Sequence, residues 1–323
     1  MNIKKTFIPI IIILFLGFSF ISLSLLYVIT PGPLSETKNV IIYKGTSTKQ
    51  IATELHTQNI IRFPYFFNVL AKAYALRGKY LKSGEYALTP GATPIQVLRI
   101  LVSGNSIIHK LKITEGSTIN DIIEKLYNEP LLTGNIEADC TEGFLMPSTY
   151  FYSFGDSRQK LLSQMKRLMS ETLDELMPGL PSNSLIKTRI EVLTLASIVE
   201  KEAGSEAEKP IIAGVFYNRL KKKMKLQADP TTIYAITLGK ERLGRPLTKK
   251  DLLIKSPYNT YYNSGLPPTP IACPSRSSIE AVIKPAKTDA LYFVVNGSGG
   301  HNFSSNLESH NMHVQNYRKS IKK

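Results

Sequence analysis

The sequence predicts an α+β protein built from an N-terminal transmembrane helix, a small α+β module and a larger α+β domain. Three observations carry this reading. An uncharged apolar segment runs from Thr6 to Ile29. A pattern of strand, glycine turn, hydroxyl cap and helix recurs from Val40 onward. A stretch without Pro or Gly, from Ile190 to Ala203, opens with a dense apolar run and ends on Glu200-Lys201-Glu202. The implied division is a short N-terminus over 1–5, the span over 6–29, a linker over 30–39, the small module over 40–104 and the large domain over 105–323.

Composition bounds the function. The chain has 323 residues, 43% of them hydrophobic, which supports a real core and excludes intrinsic disorder. A formal charge of +15 attracts polyanions: nucleic acid, anionic lipid or an anionic wall polymer. The two cysteines, Cys140 and Cys273, form no C-x-x-C pair, which excludes a zinc finger and a disulfide scaffold. One disulfide between them is allowed but not required.

Lys4 and Lys5 precede the apolar segment, which is long enough to cross a bilayer as a helix. Pro9 sits in its first turns, where a helix tolerates it. No A-x-A cleavage site follows, so a retained anchor is expected rather than a cleaved signal. The positive-inside rule then puts residues 1–5 in the cytoplasm and the bulk of the chain outside. A chain outside the membrane rarely meets nucleic acid, so the wall-polymer reading of the charge gains weight.

Pro31-Gly32-Pro33 through Asn39 reads as a linker. Val40 to Tyr43, Glu85 to Leu88 and Lys110 to Ile113 each lead through a glycine turn into a Ser or Thr cap and a helix. Such helix starts offer free N–H donors to polar ligands, but well-capped α+β structure explains them equally. Thr141 to Gly155 is aromatic and reads as β-rich core or as a saccharide-lining stretch. Arg158 to Leu176 has helical apolar spacing and ends before Pro178-Gly179.

The central helix carries the candidate chemistry. A carboxylate at the end of an apolar helix tends to sit in low dielectric, and a carboxylic acid kept partly protonated suits a general acid. Glu200 and Glu202 compete for that role. They point about 200° apart on a helix, so they cannot form one facing dyad. Glu200 shares its face with Leu193, Ala196 and Ser197, and Glu202 with Leu195, Ile198 and Val199. Periodicity does not choose between them, and both also read as solvated charges of a last turn.

Beyond it, Ile211 to Leu220 reads as a helix ending in three lysines. Gln227, Asp229, Thr231 and Thr232 form a polar turn around Pro230. Ser256 to Asn263 is rich in Tyr and Asn, residue types that line sugar clefts and also occur in plain loops. Leu291 to Val295 reads as a buried strand. Gly297-Ser298-Gly299-Gly300 fits neither a P-loop nor a nucleophile elbow. His301, His310 and His313 lack an H-E-x-x-H frame, so no metal is expected.

Ordered blocks across the chain resemble one family. They are Ala196-Ser197-Ile198-Val199-Glu200-Lys201-Glu202, Val215 to Leu220, Leu226 to Thr231, Ser256 to Tyr261, Gly265 to Pro268, Pro285 to Asp289, Leu291 to Val294, His301 to Ser304 and His310-Asn311. Together they resemble the YceG-like (MltG) endolytic murein transglycosylases. The resemblance implies that Glu200, the first glutamate of V-E-K-E, is catalytic, and that the first module is LysM-like. It implies cleavage of MurNAc–GlcNAc bonds in nascent glycan strands, leaving 1,6-anhydro-MurNAc ends and terminating strand elongation. Gln227, Asp229, Tyr258 and Asn259 are the candidate substrate contacts. The implied partners are peptidoglycan strands, the membrane and cell-wall synthesis enzymes, with no nucleic acid and no cofactor. Cys273 and Ser275 depart from the family pattern, which more often has Asn and Gly after P-I-A; this bears on a loop contact. A non-catalytic wall-binding scaffold is the alternative.

Overall fold

The structure is a computed structural model that describes residues 3–137 and 139–320. It is mixed α+β but mainly helical, with its strands in three two-stranded sheets. The strands are only four or five residues long, too short to form a sheet core of their own. The chain divides into two compact units. One runs to His109 and takes back Phe151–Asp156; the other holds Lys110–Tyr150 and everything from Ser157 onward.

The first unit begins with α1 (Ile3–Ile29). Its window Ile12–Ile29 has a mean hydropathy of 2.5 and is 6% buried, so the helix is long and apolar enough to cross a membrane, as an anchor or a signal sequence would. Strands β1 (Lys38–Ile42) and β2 (Gly84–Leu88) pair antiparallel, with Val40 opposite Tyr86. Helices α2 (Thr48–Thr57), α3 (Pro64–Ala75) and α4 (Pro94–Ser103) complete the unit. Ser47 and Thr93 close capping boxes with Gln50 and Gln96, so the hydroxyl caps legible in the sequence are real helix starts. Leu55, Ile60, Phe67, Tyr86 and Leu98 form the buried core.

In the second unit, β3 (Ile108–Lys112) leads through a glycine turn to α5 (Ile119–Tyr127), capped by Thr118. β3 pairs with β4 (Thr149–Ser153). Tyr150 and Tyr152 are buried while Phe151 is exposed, so the aromatic stretch is alternating strand. Helix α6 (Arg158–Leu176) follows.

Helix α7 (Arg189–Glu202) is the axis of this unit. All residues from Val192 to Val199 are buried, as a helix apolar on every side must be. Around it pack α6, α8 (Lys209–Lys221), α9 (Asp229–Thr237) and α10 (Arg276–Ile283). The chain closes with β5 (Tyr292–Val295), β6 (His301–Ser304) and α11 (Leu307–Ser320).

Two expectations change here. The Leu291–Val295 segment is half-buried rather than buried, because it pairs with β6 alone and Val295 faces solvent. The polar turn around Pro230 is the first turn of α9, with Pro230 at the position where a helix accepts it and Thr231 and Thr232 fully buried. No disulfide joins Cys140 and Cys273. His301 pairs with Glu208, and His310 stacks on Tyr292.

Candidate active site

The last turn of α7 delivers Glu200 to a cradle made by a distant segment. Ser197, one turn earlier, accepts a hydrogen bond from Ile271 N at 3.0 Å. Cys273 then exchanges backbone bonds with the turn before α5: its N–H donates to Ser117 O at 2.8 Å, and its carbonyl accepts from Gly116 N at 3.0 Å. This pinned segment ends at Ser275, the N-cap of α10. Glu200 Oε2 accepts from Ser275 N at 2.8 Å, Ser275 Oγ at 2.5 Å and Ser278 Oγ at 2.6 Å. The carboxyl group therefore sits at the start of α10, where free N–H groups of the first turn need acceptors. The departure at Ser275 falls directly on Glu200: a glycine there would leave the backbone donor and remove the hydroxyl.

A buried lysine completes the cradle. Lys209 is 3% exposed, and its Nζ lies 3.4 Å from Glu200 Oε1 and 3.5 Å from Oε2. It also donates to Ser275 Oγ at 3.0 Å, to Ser277 Oγ at 2.9 Å and to Glu206. A lysine this buried needs such partners. The two oxygens of Glu200 are thus unequal. Oε2 is held by three close donors, whereas Oε1 receives one long contact.

The Glu200 side chain is 8% exposed, yet it reaches open space. It lines a hollow of about 570 Å³ with Thr114, Glu115 and Ser148. Glu115, Pro147 and Ser148 continue into a second hollow of about 560 Å³, bordered by Ser277 and Glu280. Thr114 and Glu115 also border a third, of about 850 Å³, walled by Lys125, Lys201, Tyr234 and Arg242. The three hollows share lining residues, with Glu115 on all of them and Glu200 on the first, and together they are called the trough. Gly116, on the wall of the third hollow, has φ +69°, so a side chain there would be strained, and its Cβ would press on Lys201 Cδ at 3.2 Å while only touching Glu200 Cγ at 3.5 Å. One expectation needs amending. The surroundings of Glu200 are buried but polar, because α7 ends against a serine-rich helix start. Exposed Glu115 shares the hollow of Glu200 and borders the other two as well.

Glu202 points elsewhere. It accepts from Asp229 N, and burial first, then the Asp229 charge, pushes its carboxyl up to about 8. It is absent from the walls of the trough. A further acid that sequence reasoning missed, Glu142, is pushed by burial up to about 7; it accepts from Ile119 N at 3.0 Å and from Tyr234 Oη at 3.4 Å.

None of the four candidate contacts lines the three hollows. Gln227 and Asp229 are exposed at the start of α9, where Tyr261 Oη donates to Asp229 at 2.6 Å. Tyr258 packs against Tyr234 with tilted rings 4.9 Å apart, and its hydroxyl pairs with Thr269. Asn259 is fully buried. Its amide donates to Leu252 O and Ile254 O and accepts from Thr232 Oγ1 and Tyr261 N. It holds the loop together and has no free face for a sugar. Asn259→Ala should therefore destabilise the protein by about 2–4 kcal/mol, read by thermal or urea unfolding, because it leaves buried carbonyls unpaired.

The sequence signal for the cradle was present in Ser275-Arg276-Ser277-Ser278, a hydroxyl cluster at a helix start. Its meeting with Glu200 is tertiary and has no local signature.

Comparisons with known proteins place the chain in a family. The YceG-like family model matches residues 40–316. A Bacillus subtilis (strain 168) protein named endolytic murein transglycosylase is 31% identical over 313 residues, covering 87% of this chain and 85% of the relative. A Streptococcus pneumoniae (serotype 2, strain D39) protein of the same name is 28% identical over 321 residues, covering 84% of this chain and 57% of that longer relative. A crystal structure of a yceG-like protein from Listeria monocytogenes is 32% identical, with a TM-score of 0.54, over 86% of this chain and 99% of the other. The chain belongs to the YceG-like family.

Proposed function

We propose that this chain is a membrane-anchored endolytic lytic transglycosylase of peptidoglycan, with Glu200 as its single acid–base. The observation that carries the reading is the asymmetric carboxyl in the trough. Oε2 is fixed by Ser275 and Ser278, and Oε1 is left for proton exchange. Family membership and the names of the relatives support the substrate class.

The chemistry runs in two steps. Protonated Glu200 gives its proton to the oxygen of a MurNAc–GlcNAc bond as that bond breaks. As carboxylate it takes the proton from the C6 hydroxyl of MurNAc, whose oxygen closes on C1 to make the 1,6-anhydro ring. Atoms balance without water, so the second carboxylate of an ordinary glycosidase is not needed. Positioned acid–base catalysis supplies roughly 10²–10⁴-fold. Trough contacts supply the rest, with Tyr234, Lys201 and Ser148 on its walls and Gln227 and Asp229 as outer contacts for a longer strand. Helix α1 anchors the chain with its N-terminus inside, the LysM-like module of the first unit holds glycan, and the second unit cuts strands near the synthetic enzymes.

Glu115 gives one competing reading its specific observation: two carboxylates on one trough could hydrolyse the bond instead. Mass spectrometry of strands treated with the purified protein separates the readings. Transglycosylation leaves anhydro ends, one water lighter than the reducing ends hydrolysis would leave. Reducing ends would show a hydrolase, and strands of unchanged length would favour the wall-binding scaffold.

A further inference from the structure

We propose that the exposed stripe of α3 rests on the bilayer surface that α1 enters and binds anionic lipid headgroups there. The inference depends on α1 being a membrane anchor. The inner face of α3, Phe67 and Ala71, is buried in the core of its unit. On the outer face Tyr65 is 66% exposed, Val69 44% and Leu76 90%. At 100° per residue these three and Lys72 fall within about 60° of arc, so they form one stripe. The stripe is apolar and exposed, and it carries a cation in its middle.

The end of α1 lies against the start of this helix. Tyr27, in the last turns of α1, donates its hydroxyl to Phe63 O at 3.1 Å. Its ring lies 5.5 Å from Phe63 and 5.7 Å from Phe66. Aromatic rings cluster where a spanning helix leaves the hydrocarbon, because they combine an apolar body with a polar edge. This cluster therefore places α3 at headgroup depth. Charge agrees: from Arg62 to Ser83 the chain has five basic residues and no acidic one. A helix with an outward apolar stripe, set in a segment whose only charges are basic, is the pattern of an interfacial segment attracted to an anionic surface. The same charge argues against a second copy of the chain on this face, since two such stripes would repel.

The chain contains no Trp, so single Trp variants report one position each. Full-length protein is reconstituted in phosphatidylglycerol–phosphatidylcholine vesicles with and without brominated acyl chains. Four variants are compared: Phe18→Trp in α1, Tyr65→Trp and Leu76→Trp on the stripe, and Tyr43→Trp on another exposed face. The expected result is blue-shifted emission and bromolipid quenching at 18, 65 and 76, with neither at 43. Replacing phosphatidylglycerol by phosphatidylcholine should lower quenching at 65 and 76 at least twofold while leaving 18 unchanged. Quenching at 18 with 65 and 76 behaving like 43 overturns the inference and leaves the anchor standing. No quenching at 18 overturns the anchor reading and the inference with it. A blue shift at 65 and 76 without quenching, growing with protein density, shows a second copy on the stripe and also overturns it. Equal quenching in both lipids overturns the headgroup part.

Discussion

Glu200→Gln is expected to lower the formation of anhydro ends by at least about 10²–10⁴-fold while the fold stays intact. Glutamine keeps the length and can still accept from Ser275 N and Ser275 Oγ, but it can neither donate an acid proton nor take one back. Lys209 loses an anionic partner and keeps Glu206, Ser275 and Ser277. The stability cost should therefore stay near 1–3 kcal/mol, below that of stranding a buried charge. Rates of end formation and a melting curve on the same preparation separate the two effects. Glu115→Gln is the matched control: it should retain anhydro-end formation, since no step passes through that carboxyl. A Glu200→Gln protein with parental activity would remove Glu200 from the mechanism.

The second large effect is on stability against pH. Glu202 titrates at about 8 in the folded chain, above the ordinary carboxylate value near 4.3 that it regains on unfolding. Between these values the folded state binds the extra proton. The associated stability is fully present below about pH 4.3 and is lost as pH rises through about 8. Glu142, raised to about 7, adds a loss of the same sign. Glu202→Gln removes one of the two contributions without removing the side chain. Between pH 5 and 8.5 the parent should lose on the order of 2–4 kcal/mol more stability than this variant, from about 1.4 kcal/mol per factor of ten in proton affinity. Urea unfolding of both proteins across that range measures it, and parallel pH profiles would contradict it. Because Glu202 lies outside the trough, the variant should still cut glycan.

The parts legible in the sequence are those set by local rules. Arg158–Leu176 and the α7 segment show as uninterrupted helices with apolar spacing, and Ser47, Thr93 and Thr118 announce helix starts. Helix α3 gave no such signal, because Pro64 and the aromatic run around it resemble loop; the proline in fact occupies the first helical position. The pair Glu200 and Glu202 could be located but not ranked, since both end the same buried helix. What separates them is which distant group each meets: a serine-rich helix start for one, the start of α9 for the other. Ser275 lies 75 residues from Glu200, and neither its departure from the family pattern nor its hydroxyl cluster linked it to that glutamate. Asn259 misled for the complementary reason. An Asn among tyrosines looks like a sugar contact, and only the fold shows its amide fully engaged by neighbouring groups.

The most direct test of the central claim is the structure of the Glu200→Gln protein with a bound MurNAc–GlcNAc oligomer. The account predicts the strand along the trough, with a glycosidic oxygen within about 3.2 Å of the side-chain terminus at position 200 and the MurNAc C6 hydroxyl on the same side. A strand bound across the start of α9 beside Glu202, with position 200 out of reach of any glycosidic oxygen, would contradict it.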